Sequence, residues 1–300
     1  MYKTMELLGH YRNGNYDVLI YEDGTKIRHT EEDTFEPAFS ESIDCKITNR
    51  CYGQCAFCHE NSTPNGDHGD ILNAEFIDTL RPYTEIAIGG GCPLLHPDLE
   101  EFLRKLQDRK VIANMTINQQ SFMEALPRIR HFVDERLIYG LGVSYHEYDE
   151  ECIKEILKFP NAVLHVINGL TNTKMLQNIS ALSERQLKIL ILGYKEFRRG
   201  KDHYSAQVEG QKRELYRMLP TLMSRFKVVS FDNLAIEQLD VKRLLSAEQW
   251  ETFYNGDDGS HTFYVDLVNR KFAKNSTSKK TFDLLDSIDE MFAVVKELSV

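Results

Sequence analysis

Three hundred residues, at about 150 per domain, predict two domains or one α/β barrel that absorbs the whole chain. Hydrophobic residues make up 42% and charged residues 27%, enough for a sizeable core, and 17 Gly with 8 Pro exclude a collagen-like or low-complexity chain. A formal net charge of −10 argues against the basic face of a generic nucleic-acid binder.

No stretch approaches the ~18 consecutive apolar residues of a membrane span. The opening residues MYKTMELLGHYRNG lack the apolar centre of a signal peptide, so a soluble, cytoplasmic protein is expected. Residues 16–21 and 25–29 flank Glu22-Asp23-Gly24 and predict a β-hairpin, because Asp-Gly accepts a positive φ cheaply. A polar connector follows to about residue 40. Short apolar runs at 43–48, 84–89, 110–117, 137–144, 161–167 and 187–192 then alternate with helical stretches at 71–80, 99–108, 121–135, 149–158 and 173–184. Pro127 is expected to kink or split the third helix. The near-continuous apolar runs read as strands covered on both faces. Six βα units in succession predict a partial (β/α)6 TIM-like barrel, with a doubly wound sheet as the competitor. A long helix at 204–225 and a strand at 226–231 follow. The tail predicts a hairpin, 261–267 against 271–274, and a closing amphipathic helix over 281–298. In that helix Leu284, Ile288, Met291, Phe292 and Val295 form one buried stripe. The expected organisation is thus a hairpin and connector at 1–40, the barrel at 41–232 and a C-terminal extension at 233–300.

Four of the six cysteines, Cys45, Cys51, Cys55 and Cys58, fall within fourteen residues. In a reducing compartment such a cluster reads as metal or iron–sulfur ligands rather than disulfides. Cys51-Tyr-Gly-Gln-Cys55-Ala-Phe-Cys58 follows the strand at 43–48, and Gly53 lets the loop turn tightly enough to bring three thiolates together. Iron–sulfur clusters normally take four thiolates, so three would leave one iron open, as a reactive centre requires. Two other readings stand beside this one: a structural zinc site completed by Cys45, His59 or His68, and plain buried cysteines. Cys45 lies inside the strand and is read as a non-ligand.

The CxxxCxxC spacing, with Phe57 just before the third cysteine, resembles the signature of the radical S-adenosylmethionine (SAM) superfamily. The resemblance implies that Cys51, Cys55 and Cys58 hold a 4Fe-4S cluster. Its open iron would bind SAM, and one-electron reduction would cleave SAM to a 5′-deoxyadenosyl radical. It also places Phe57 against the adenine. Gly89-Gly90-Gly91-Cys92-Pro93, at the end of the next strand, is similar to the family's Gly-Gly-Glu-Pro element, whose backbone binds the amino group of SAM. Consecutive glycines would allow that close backbone approach. Cys92 stands where the family has glutamate, so a carboxylate role is absent there. At later strand ends the resemblance implies Asn118, Ser144 and Asn168 as cofactor-binding residues, with Ser144 and Asn168 meeting its ribose or carboxylate. The Gly193-Tyr194 backbone would meet its adenine. Each of these polar positions also reads as a helix cap or turn. His165 reads as a core histidine unless it faces the barrel interior.

Cys92 and Cys152 are candidate hydrogen-atom donors, since S–H bonds are weak, although a buried structural role is the ordinary one. The absence of cysteine after Cys152 argues against auxiliary clusters. RRGKDH at 198–203 reads as a solvated loop, or else as a grip on a substrate anion by Arg198, Arg199 and Lys201. The expected function is hydrogen abstraction from a peptide or small molecule, with a reductant such as flavodoxin or ferredoxin. The alternative is a non-catalytic binding module stabilised by zinc or an iron–sulfur cluster. Within the enzyme class, a peptide epimerase or an RNA-modifying enzyme is a minor option.

Overall fold

A computed structural model describes residues 6–298. The chain starts with a three-stranded antiparallel sheet of β1 (Leu7–Asn13), β2 (Tyr16–Tyr21) and β3 (Lys26–His29). The β2–β3 hairpin turns at Asp23-Gly24 as its dipeptide predicts, with Gly24 at φ +87. Its partner β1 carries no alternation strong enough to mark it as a strand.

Seven parallel strands follow: β4 (Ser42–Thr48), β5 (Glu85–Gly90), β6 (Ile112–Asn118), β7 (Gly140–Ser144), β8 (Ala162–Ile167), β9 (Lys188–Leu192) and β10 (Val228–Phe231). Each pairs with its neighbours in the chain, so strand order never reverses and the sheet lacks the switch point of a doubly wound fold. On the far side of β4, β11 (Thr262–Asp266) adds an eighth parallel strand, and β12 (Lys271–Ala273) and β13 (Phe282–Asp283) extend the sheet antiparallel. Among the described residues no helix is long and apolar enough to cross a membrane.

The core lies on one face of this sheet. Ile43, Cys45 and Ile47 of β4, Met115 and Ile117 of β6, and Leu164 and Val166 of β8 pack there with Phe102, Phe132, Ile153, Ile179, Leu219 and Phe292 of the helices. The strands are therefore not covered by apolar neighbours on both faces, as their composition implies. Alternate positions carry Asp44, Lys46, Asn114, Thr116, Asn118, Ser144 and His165, which give the second face a polar lining.

The split expected at Pro127 occurs, whereas the stretch at 71–80 and the start of the closing helix differ from expectation. Residues 121–135 form two helices, Gln119–Glu124 and Leu126–Asp134, with Pro127 in the first turn of the second, where its missing N–H costs nothing. Residues 71–80 yield only the 3₁₀ turn Glu75–Thr79, because the Asp70 carboxylate caps Asn73 in a turn just ahead of it. The closing helix begins later than expected, at Ile288, and buries Ile288, Met291, Phe292 and Val295, whereas Leu284, expected in the same stripe, precedes the helix and is half-buried.

Glu41, fully buried just before β4, fastens the small N-terminal sheet to the large one. Its carboxylate accepts from Tyr16 Oη at 2.6 Å and from Arg28 Nε and Nη2 at 2.7 and 2.9 Å, and it pairs with Lys26 at 3.2 Å. Burial by itself raises this carboxyl, but Arg28 and Lys26 outweigh it and draw its pKa down to about 2. A depressed carboxyl contributes stability above its unfolded pKa and loses it as pH falls through the folded value. Wild-type stability is therefore expected to fall between pH 4.5 and about 2 as this carboxylate protonates. Glu41→Gln should lower stability at neutral pH by about 3–5 kcal/mol and flatten the acid limb. Thermal unfolding across a pH series measures both.

Candidate active site

The loop after β4 is built to return on itself. Cys51 N donates to Thr63 O, Thr63 N to Asn49 O and Asn49 N to Asp67 O, which leaves residues 51–62 projecting beyond the strand end. Gly66 is required by this pairing, since a Cβ there would stand 2.1 Å from Asn49 O. Within the projection Gln54 takes φ +45, and Cys58 N bonds back to Cys55 O at 3.2 Å. The place of a Cβ on Gly53 is 3.5 Å from Cys51 Sγ and 3.7 Å from Cys55 Sγ, so the bare glycine backbone lies between two thiols. Burial raises the pKa of Cys51 and Cys55, and the neighbouring thiols add to the rise.

Cys51, Cys55 and Cys58 border a cleft of about 240 Å³ at the C-terminal ends of the parallel strands, the face where parallel barrels carry their ligands. Phe57, Gly89–Gly91, Asn118, Ser144, Gly193 and Tyr194 border the same cleft. Asn118 caps the helix that follows it, accepting from Ser121 N at 2.8 Å, while its Nδ2 points to Cys51 Sγ at 3.8 Å. Phe57 packs edge-on against His146, with ring centroids 4.8 Å apart. Ser144 borders the cleft, and its side chain makes no hydrogen bond among the described residues.

The three glycines divide their work. A Cβ on Gly90, at φ +104, would stand 2.5 Å from Thr48 O and 2.7 Å from Lys46 Cγ, and one on Gly91 would stand 2.3 Å from Arg50 O. Both are therefore needed for the turn to pack against the end of β4. Only Gly89 has nothing within 4 Å and leaves its side of the backbone open.

Four expectations are corrected. Asn168 is fully buried and does not border the cleft; its Nδ2 donates to Gln238 Oε1 at 3.0 Å. The amides of Gly193 and Tyr194 are already bound, by Asp232 Oδ1 at 2.8 Å and Gln238 Oε1 at 2.9 Å, and Gln238 Nε2 takes the Tyr194 carbonyl. The helix Asn233–Leu239, which packs on Gly193, thus uses the groups expected for adenine. Cys92 and Cys152 both lie in the hydrophobic core and neither borders the cleft, although Cys92 is near enough to raise the Cys51 thiol's pKa. The 198–203 segment is not simply a solvated loop: Arg198 Nη1 donates to Glu60 O at 2.9 Å and Arg199 Nη2 to Ser62 O at 2.6 Å, holding the cysteine loop.

The structure also adds residues. His165 does not lie in the core: it borders the cleft from mid-β8, above Gly142, where a Cβ would stand 2.3 Å from its Cε1. Burial lowers its pKa to about 4, so the imidazole is neutral near pH 7. His146, also lowered to about 4 by burial, borders the cleft, and its Nδ1 has no hydrogen-bond partner among the described residues. The ligands that could complete a zinc site are engaged elsewhere. Cys45 is in the core, His59 contacts Glu60 and Lys195, and His68 bonds Thr48 Oγ1 at 2.9 Å. Among the described residues no three His, Cys, Asp or Glu side chains are placed to hold a single metal ion.

Residues 45–199 match the family model of the radical SAM superfamily. The chain belongs to that superfamily, whose members use a 4Fe-4S cluster and SAM as cofactors. It is 28% identical over 136 residues to the "Probable GTP 3',8-cyclase" of Methanocaldococcus jannaschii, covering 43% of this chain and 44% of that one. A protein of the same name from Sulfolobus acidocaldarius is 25% identical over 141 residues, covering 45% and 43%. The chain thus spans less than half the length of these curated relatives. Among solved structures, Streptococcus suis SuiB bound to S-adenosylmethionine is similar in fold, with TM-score 0.62 at 12% identity, covering 96% of this chain and 87% of that one. SuiB bound to its precursor peptide SuiA gives TM-score 0.57 at 13% identity, covering 86% and 65%.

The glycine turn makes a contrast that unfolding can read. Gly90→Ala should destabilise the metal-free chain by about 1–3 kcal/mol, because its φ and the Thr48 carbonyl both oppose a Cβ. Gly89→Ala should leave stability within ~0.5 kcal/mol. Urea titration of the two variants against the wild type checks the difference.

Proposed function

We propose that Cys51, Cys55 and Cys58 hold the 4Fe-4S cluster and that SAM occupies the cleft they share with Gly89, Gly90, Gly91, Asn118 and Ser144. The observation that carries this reading is the placement of three soft sulfur donors, on one projecting loop, around the cleft that the glycine turn and two strand-end polar residues also border. Three thiols fit a cluster with one open iron, and the engaged state of Cys45, His59 and His68 speaks against a closed zinc site. A reduced 4Fe-4S cluster held there would pass one electron, taken from the reductant, to SAM, giving methionine and a 5′-deoxyadenosyl radical that would take a hydrogen atom from the substrate.

The chain's own residues have separable tasks in this reading. Gly89 keeps the turn's backbone accessible, and Ser144 Oγ and Asn118 Nδ2 offer hydrogen bonds to the cofactor's polar groups. Phe57 and His146 form an aromatic wall that keeps water from one side of the cleft. The substrate is a peptide or small molecule seated against His165 and Thr116, and a flavodoxin or ferredoxin supplies the electron. The polar second face of the uninterrupted parallel sheet supports a partial barrel as the container. A reducing, cytoplasmic setting is part of the reading, because the thiols must stay reduced to serve as ligands.

Anaerobic reconstitution with iron and sulfide, followed by reduction with SAM present, should yield 5′-deoxyadenosine. Cys55→Ala should reduce product to background. A chain that binds zinc, builds no 4Fe-4S cluster and forms no product would overturn the assignment.

A further inference from the structure

Lys46 is the one lysine of β4, and its side chain is buried, at 1% exposure. Its ammonium lies between two carboxylates that are themselves buried, 2.9 Å from Glu60 Oε2 and 3.3 Å from Asp266 Oδ2. Three separate parts of the chain meet there: the end of β4, the cysteine loop two residues past Cys58, and β11. A charge removed from water to this degree is stable only when its partners stay in place.

Those partners are held in turn. Asn269 donates to Asp266 through its backbone N–H at 2.9 Å and its Nδ2 at 2.7 Å, fixing the carboxylate toward Lys46. Tyr264 Oη, from the same strand, donates to Glu60 Oε1 at 3.3 Å. Arg198 Nη1 stands 3.8 Å from Glu60 Oε2, and His59 Nε2 is 3.4 Å from Glu60 Oε1. A second tie runs parallel to the first: Lys195 Nζ reaches His59 Nε2 at 3.3 Å and Ser276 Oγ at 2.9 Å. The stem of Lys46 fills the space that a Cβ on Gly90 would need. One side chain therefore touches both the cysteine loop, through Glu60, and the glycine turn, through Gly90.

We infer that Asp266 is a positioning residue for the cysteine loop, acting through the Lys46 ammonium and the Glu60 carboxylate. The inference rests on the assignment of the cluster to Cys51, Cys55 and Cys58. It places a determinant of cluster geometry on β11, outside residues 45–199 that match the superfamily. The same ammonium keeps the glycine turn and the cysteines in register. A shift of Glu60 is passed along two residues to Cys58, and a shift of Lys46 to Gly90. Outer partners of metal ligands commonly act in this way, and their loss costs about 10–100-fold in metal affinity or activity.

The test uses the full chain with its cluster rebuilt from iron and sulfide, comparing wild type with Asp266→Asn. This variant keeps the shape and removes the charge facing Lys46, while its single carbonyl oxygen can accept from only one of the two Asn269 donors. Two readouts go beyond folding: the rate at which a chelator strips iron, and the electron paramagnetic resonance spectrum of the reduced cluster with increasing SAM. Asp266→Asn is expected to lose iron roughly 10–100-fold faster and to need more SAM for the same spectral change. Tyr264→Phe, which removes one bond to Glu60 without touching a charge, should move both readouts in the same direction by less. This second variant gives the same test if Asp266→Asn does not fold. Wild-type iron retention and an unchanged SAM response in the folded variants, with only a lower melting temperature, would overturn the inference and leave the cluster assignment intact. A wild-type chain that takes up no iron would remove both.

Discussion

Successive side chains of a β-strand point to opposite faces, so each of the parallel strands has to satisfy two environments at once. In β4 this places Ile43, Cys45 and Ile47 against the helices and Asp44, Lys46 and Thr48 on the other side. The same division runs through β6 and β8, where Thr116 and His165 alternate with Met115, Ile117, Leu164 and Val166. Burial of the apolar set stabilises the sheet, at roughly 25 cal/mol per Å² of apolar surface. The polar set is thereby brought to one interior face, where a cleft for chemistry can form without disturbing the core.

The cysteine loop depends on this arrangement but is not held by apolar packing. It is held by hydrogen bonds from Asn49, Thr63 and Asp67 along its base, by Arg198 and Arg199 on its outer side, and by the ion pairs at Glu60 beneath it. Charged and polar contacts have directional geometry, which a hydrophobic contact lacks, and three thiols that must meet one inorganic group need direction more than they need burial. The cost is a buried cation with two buried anions close by. Arg198, Tyr264 and Asn269 offset that cost by supplying the anions with further donors.

The glycine turn shows how one local pattern can serve two purposes. Its three glycines are visible in the sequence, where they read as a place of close approach to a ligand. Two of them are instead occupied with the chain itself, Gly90 by Thr48 and Lys46 and Gly91 by Arg50. The helix Asn233–Leu239 has a comparable effect at the last strand end. Gln238 binds both the N–H and the C=O of Tyr194, 44 residues away, and so takes the groups that the sequence offers to a cofactor. No local feature of Gly193-Tyr194-Lys195 could reveal that competition.

Properties set by neighbours in the chain were legible in the amino-acid sequence alone. The turn at Asp23-Gly24, the split at Pro127, the buried stripe of the closing helix and the CxxxCxxC loop all follow from φ preference, a missing N–H, helical period or spacing along a few residues. The succession of parallel strands was legible for the same reason, as was the class of chemistry, because both are carried by short motifs repeated or placed in order. Only the tertiary structure decided which face of each strand is polar, that His165 borders the cleft while Asn168 does not, and that Tyr264 reaches Glu60 across 204 residues. Those outcomes depend on strand order and register, which set distances between remote side chains and leave no periodic trace in the segments they join.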